Sequence, residues 1–249
     1  TEGDKPQDIS NNMAMAMTGF GNYFDSHKLD LLIVLGDRYE TMAVCMAAMN
    51  AEIPIAHIHG GEATEGLIDE AIRHSITKLS QLHFTCTEVY RNRVIQMGEH
   101  PDRVFNVGAL AVENTKNTEF VSMEDLGKDL GIDLTGNYAV VTFHPVTLEE
   151  NSGVEQFNQL MDAMDAFPEM TFIITKANAD AGGRYINKCI DEYAEKRNNV
   201  VAVTSLGVKR YLSAVKNSRF VLGNSSSGII EAPCLHVPTV NIGDRQRGR

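Results

Sequence analysis

Apolar positions along this chain cluster in short continuous runs separated by amphipathic stretches. Leu31 to Leu35 is such a run and ends in Gly36-Asp37; Ile53 to Ile58 is another, broken by Gly60-Gly61. Runs of this length bounded by glycine read as buried strands. Between and after them, Tyr39 to Asn50 and Ile68 to Ser80 read as helices, the second with Ile68, Ile72, Ile76 and Leu79 on one face. His83 to Thr85 and Arg103 to Val107 read as further short strands. Ahead of them, Ile9 to Phe24 is helix-like and leads into Leu31 to Leu35 as a central strand. Continuous apolar strands alternating with helices predict a parallel sheet covered on both faces.

From Gly108 to Gly136 the chain turns polar and irregular, and a second series follows. Tyr138 to Phe143, Met170 to Thr175, Val200 to Val203 and Phe220 to Leu222 read as strands. Gly153 to Ala166, Ala181 to Lys196 and Lys209 to Ala214 read as helices. The last strand runs into Gly223-Asn224-Ser225-Ser226-Ser227-Gly228 and a helix from Ile229 to Ala232. The expected organisation is α/β with two Rossmann-like parallel-sheet domains: residues 1–113, a linker over 114–136, and residues 137–249. The first domain reads as incomplete, because the strands that should flank Leu31 to Leu35 have no sequence to supply them.

Composition narrows the class. The net charge of −11 argues against nucleic acid as a partner. A few arginines at one cleft can still receive an anionic small molecule. No apolar run approaches the roughly 20 residues a membrane span needs, so no membrane partner is expected. The four cysteines, Cys45, Cys86, Cys189 and Cys234, stand at neither metal-knuckle nor redox spacing. They read as small core residues of a protein in a reducing cytoplasm.

Ligands of open α/β sheets bind at the carboxyl ends of the strands, and three polar groups fall there. Gly36-Asp37-Arg38 places a carboxylate and a guanidinium at a strand exit, although Asp37 can equally be a helix N-cap. His57-Ile58-His59-Gly60-Gly61-Glu62 sets two imidazoles on one side of a strand if the strand persists, and with Glu62 that spacing suits a metal. Its glycines indicate close approach of the backbone to something. Asp69 and Arg73, like Glu70 and His74, stand four apart on a helix; the plain reading is a solvated ion-pair face, the functional one a site assembling an acid and a base. In the third group, the Gly223 to Gly228 turn offers hydroxyls and backbone N–H groups to phosphate at a helix start, or it is only a cap. Glu231 in the first turn accepts from ribose hydroxyls or complements the helix dipole. His144 closes the Tyr138 to Phe143 strand, with Pro145 stopping it; normal packing of the halves predicts it opposite the serine turn, and the plain reading is a structural histidine.

Taken together, Gly36-Asp37-Arg38, His57 to Glu62, Asp69 to Lys78, Thr142-Phe143-His144-Pro145-Val146-Thr147, Gly223 to Gly228 with Glu231, and Asn241-Ile242-Gly243-Asp244-Arg245-Gln246 resemble the UDP-N-acetylglucosamine 2-epimerase family, in its hydrolysing branch. The resemblance runs from about Leu31 to the end. It implies a glycosyltransferase-B-like fold with a UDP-sugar held between the domains, no cofactor and no metal, and a cytoplasmic homodimer or higher homo-oligomer. It assigns Ser225 and Ser226 to the phosphates, Glu231 to the ribose, His144 and Arg245 to the surroundings of the diphosphate, and Leu206 to the loop bordering uracil. Asp37 and Asp69 match catalytic carboxylates, and Arg38 a substrate-contacting arginine. Family members carry a glutamate where this chain has His59, so the second proton carrier is His59 or Glu62. They also open with a strand and a Gly- and Arg-bearing loop and continue past the last residue here, which makes the chain ends read as truncated.

The reaction implied is removal of the C2 proton with loss of UDP, then hydration of the 2-acetamidoglucal to N-acetylmannosamine. The alternatives are the same reaction on UDP-2,4-diacetamido-trideoxyhexose, a non-hydrolysing 2-epimerase, a metal hydrolase on His57, His59 and Glu62, and a UDP-sugar-binding module without turnover. Sialic-acid precursor synthesis is the expected setting.

Overall fold

A computed structural model describes residues 5–65, 68–144, 152–177 and 183–248. The expected stop at Pro145, the following Val146-Thr147 and the helix start at Ala181 lie outside the described residues. The chain forms two compact units, one of residues 1–110 with 247–249, the other of residues 111–246.

The first unit runs α1 (Pro6–Ser26), β1 (Leu32–Leu35), α2 (Tyr39–Asn50), β2 (Ile55–Ile58), α3 (Asp69–Leu79), β3 (Leu82–Thr85), α4 (Glu88–Gln96) and β4 (Val104–Asn106). Its strands pair in parallel in the order β1-β2-β3-β4. Sequential order follows from each helix carrying the chain back over the sheet to the next position. In this sheet β1 is an edge strand, not the central strand expected. One row across the sheet, Val34, His57, His83 and Val104, is buried. Val34 packs with Ile55 and with Phe24, Cys45, Ala48, Ile72 and Ile76 from three helices. The opposite row, Leu35, Ile58, Phe84 and Phe105, is different. Phe84 and Phe105 stack at 5.5 Å, yet Leu35 is 56% and Phe105 43% exposed. Burial on both faces therefore fails here, because among the described residues the helices of this unit pack against the first row.

The second unit begins at Ala111, within α5 (Leu110–Asn117), and continues with α6 (Met123–Leu130). These helices occupy most of the stretch read as an irregular linker. Ser122 caps α6, and Gly131, with φ +68°, ends it. Then come β5 (Tyr138–Thr142), α7 (Ser152–Asp165), β6 (Thr171–Thr175), α8 (Gly183–Ala194), β7 (Val200–Val203), α9 (Gly207–Asn217), β8 (Phe220–Gly223), α10 (Glu231–Cys234) and β9 (Thr239–Asn241). The parallel order is β7-β6-β5-β8-β9, so the topology reverses beside β5. Here both faces are covered, and the two-residue period of β5 shows it. Ala139, Val141 and Phe143 pack with Phe157, Leu160 and Ile186. Tyr138 and Val140 pack on the other side with Leu126, Ala214 and Val215, and the Tyr138 hydroxyl donates to the Ala214 carbonyl at 2.7 Å.

Gly223 ends β8 with φ +137°, and a Cβ there would lie 1.9 Å from the Thr142 carbonyl oxygen. No side chain fits without separating β5 from β8. Gly223→Ala should therefore destabilise the protein by roughly 2 kcal/mol or more, read as a lowered urea midpoint; an unchanged midpoint would contradict this packing.

Candidate active site

In the first unit the site is built from three neighbouring strand exits. After β1, Gly36 takes φ +74° and its N–H bonds the Ile58 carbonyl at 3.0 Å. The turn delivers Asp37 towards Arg73 of α3. Arg73 is almost wholly buried, and its guanidinium donates to the Asp37 carboxylate, to the Glu62 carbonyl at 2.9 Å and to Thr64 Oγ1 at 2.9 Å. A buried cation demands such partners. The capping alternative for Asp37 falls: the N-cap of α2 is Arg38, without a side-chain cap bond. The solvated pairing of Asp69 with Arg73 also falls, because Arg73 turns inward. Glu70, in contrast, takes the Thr64 N–H at 2.6 Å and lies 3.7 Å from His74. Asp69 stands half-buried in the first turn of α3. Arg38 is exposed and pairs with Glu40 at 3.0 Å.

His57 and His59 do not share a face. His57, fully buried, sits between the Gly36 carbonyl, 2.8 Å from Nε2, and Thr77 Oγ1, 3.2 Å from Nδ1. Burial pushes its pKa down to about 4, against the pull of the Gly36 carbonyl. It holds the Asp37 turn in place. His59 lies past the end of β2 with φ +68°, which breaks the strand alternation and turns its ring elsewhere. His59 Nδ1 is 2.9 Å from Glu62 Oε1 and 3.0 Å from Cys86 Sγ, and the Leu110 N–H approaches Nε2 at 3.4 Å. Cys86 Sγ is 3.3 Å from Glu62 Oε1. The close approach expected of Gly60-Gly61 is to the protein itself. A Cβ on Gly60 would lie 3.0 Å from His57 Nδ1, and one on Gly61 2.5 Å from the Tyr90 carbonyl of α4.

Sequence reasoning offered Arg73 only as a helix-face partner of Asp69, and Cys86 only as a small core residue. Cys86 is half-buried beside two candidate residues, so it is not merely a core filler. No local motif marks it; the register Ile58↔Phe84 alone sets the exits of β2 and β3 side by side.

In the second unit the exits of β5 and β8 adjoin, with Thr142 opposite Gly223. Asn224, fully buried, accepts from the His144 N–H and donates to the His144 carbonyl, both at 2.7 Å. Its amide acts as one more rung of the ladder. The Asn224 carbonyl in turn accepts from Gln246 at 2.8 Å and Arg245 at 3.3 Å. Burial, with Arg245 nearby, pushes the His144 pKa down to about 3. Ser225 and Ser226 are part-exposed, and Ser225 caps a single 3-10 turn, Ser226–Gly228. The helix behind it, α10, has four residues and starts at Glu231, so hydroxyls and turn N–H groups outweigh a helix dipole here. Tyr211 donates to Ser227 at 2.6 Å; burial chiefly raises its pKa, opposed by the Ser227 hydrogen bond and reinforced by the Glu231 charge. Leu206, just before α9, is 4% exposed and its side chain packs in the core.

A sequence model described as UDP-N-acetylglucosamine 2-epimerase matches residues 2–249. The chain belongs to that family. It is 40% identical over 242 residues to a GDP/UDP-N,N'-diacetylbacillosamine 2-epimerase (hydrolyzing) of Campylobacter jejuni, covering 97% of this chain and 63% of the relative. It is 43% identical over 242 residues to polysialic acid biosynthesis protein P7 of Escherichia coli, covering 97% and 61%. The chain thus spans under two thirds of the length of these two relatives. Among solved structures, UDP-GlcNAc 2-epimerase from Neisseria meningitidis bound to UDP-GlcNAc superposes with a TM-score of 0.78 at 21% identity, over 98% of this chain and 68% of that one. Its fold, like that of these epimerases, is of the glycosyltransferase-B-like type with two parallel sheets. No helix among the described residues is long and apolar enough to cross a membrane.

Two predictions follow from this geometry. Arg73→Met leaves Asp37 without its partner and should cost about 3 kcal/mol in urea unfolding, whereas a surface variant such as Arg38→Met should cost under about 0.5 kcal/mol. The second concerns acid. His57 and His144 stay neutral when folded, while the unfolded chain binds protons below about pH 6.5. Their contribution is present above the unfolded value of 6.5 and is lost as pH falls towards about 4 for His57 and about 3 for His144. Stability should fall steadily from pH 6.5 to 4.5, and His57→Gln should flatten that slope; equal slopes would remove the assignment.

Proposed function

We propose that the chain performs the hydrolysing 2-epimerase reaction on a UDP-2-acetamido sugar. The observation that carries this reading is the Asp37 carboxylate held by buried Arg73, which also binds the loop bearing His59 and Glu62. One fixed cation thereby ties a candidate base to a second candidate proton carrier.

In this scheme Asp37 takes the C2 proton. The C2–H pair becomes the C1=C2 bond, and the C1–O bond breaks with its pair leaving on UDP. Water then adds its oxygen to C1, and a proton is delivered to the opposite face of C2. His59 is the better carrier for that return, because its side chain is 16% exposed against 6% for Glu62. Glu62 orients it, the arrangement by which a carboxylate fixes an imidazole tautomer. Asp69 is the further carboxylate of this group. Ser225 and Ser226 supply donors to the departing diphosphate, Arg245 adds charge, Glu231 accepts from the ribose and neutral His144 donates from its ring. Arg38 contacts the sugar once released from Glu40. A homodimer is part of the same proposal.

The sugar is the finer question. The Campylobacter relative's name favours the 2,4-diacetamido substrate as a second reading beside UDP-N-acetylglucosamine. Both are incubated with chelator-treated protein in deuterated water and followed by proton NMR. The expected result is free 2-epimer carrying deuterium at C2, with released UDP. Asp37→Asn should lower turnover at least ~100-fold while UDP binding persists. Product with UDP still attached would overturn the hydrolysing step, and no product from either sugar would overturn the assignment.

A further inference from the structure

We propose that His59, Glu62 and Cys86 form a binding site for one thiophilic divalent cation of the zinc type. The three residues offer an imidazole nitrogen, a carboxylate oxygen and a sulfur, each a ligand zinc accepts. Their donor atoms all lie within 4.8 Å of one another. Neighbouring donors around a tetrahedral zinc stand about 3.5 Å apart, given its bond lengths. The separations here are 2.9 Å, 3.0 Å and 3.3 Å. Opening by a few tenths of an ångström admits the ion.

The backbone holds this set in advance. The His59 N–H bonds the Phe84 carbonyl at 2.8 Å, and His59 itself is locked at φ +68°. The Glu62 carbonyl is fixed by Arg73, and the Gly61 carbonyl by Arg93 of α4. Cys86 follows β3 directly. Binding moves the imidazole proton from Nδ1 to Nε2, so the long 3.4 Å contact with the Leu110 N–H must give way. It also releases the Cys86 thiol proton to solvent, so affinity rises with pH. Three protein ligands leave one tetrahedral position for water. This trio differs from the one the sequence pattern offered, since His57 is committed to Gly36 and Thr77.

One consequence rests on the proposed reaction: a cation on Nδ1 of His59 displaces the proton that residue is to carry, and turnover stops until a chelator removes it. Binding itself does not depend on that reading.

Cobalt(II) is titrated into the chelator-treated protein. The expected result is a sulfur-to-cobalt charge-transfer band saturating at one equivalent and abolished by zinc. Cys86→Ser should lose the band and bind zinc roughly tenfold or more weakly, and Cys234→Ser should keep it. A wild-type control covers misfolding of the variant: stoichiometric zinc should protect Cys86, and not Cys234, from alkylation. No band, a band surviving in Cys86→Ser, or unprotected Cys86 would overturn the site. A band without epimerase activity from either sugar would keep the metal site and remove the proposed reaction.

Discussion

A single buried guanidinium organises the first unit. Arg73 projects from α3 into a place where water cannot solvate it, and three groups from elsewhere in the chain must come to it. Asp37 arrives from the exit of β1, the Glu62 carbonyl and Thr64 from the loop after β2. The requirement that a buried charge be paired thus becomes a positional constraint on two loops. His57 adds a neutral tie from the strand between them, its basicity depressed chiefly by burial.

The second unit solves a similar problem with no net charge. The β5–β8 ladder would end at Thr142 and Gly223, yet Asn224 continues it by side chain and keeps the following backbone groups of His144 satisfied. The serine turn is therefore set by main-chain pairing, and the part-exposed hydroxyls of Ser225 and Ser226 are carried on a base that is already rigid. Gln246 and Arg245 close the same node through the Asn224 carbonyl.

The strands were legible because parallel strands buried on both faces read as unbroken apolar runs, and β5 and β6 are of that kind. β4 and β9, at three residues each, carry too little pattern to bound well. The polar stretch after Gly108 hid two helices because the apolar residues of α6 are spread at helical spacing among charges. At the site, Asp37, Glu62 and the serine turn stood out since each follows a strand. Arg73 did not: an i, i+4 acid–base pair on a helix looks solvated until the loop it must neutralise is known. Cys86 was invisible for a related reason, as its neighbours are set by register between β2 and β3. The strand period also misplaced His59, whose positive φ ends the alternation one residue early.

Asn224 precedes Ser225, a pairing whose side-chain carbonyl carbon is ordinarily open to attack by the next backbone nitrogen, the first step of spontaneous deamidation. Here the amide is held at both ends by His144, and the carbon cannot rotate towards that nitrogen without breaking both bonds. The fold thereby shields one of its most thermolabile side chains from chemical ageing. Conversion to aspartate would remove the donor to the His144 carbonyl and set a negative charge beside it. The working lifetime of the second unit is then tied to how often the β5–β8 junction opens.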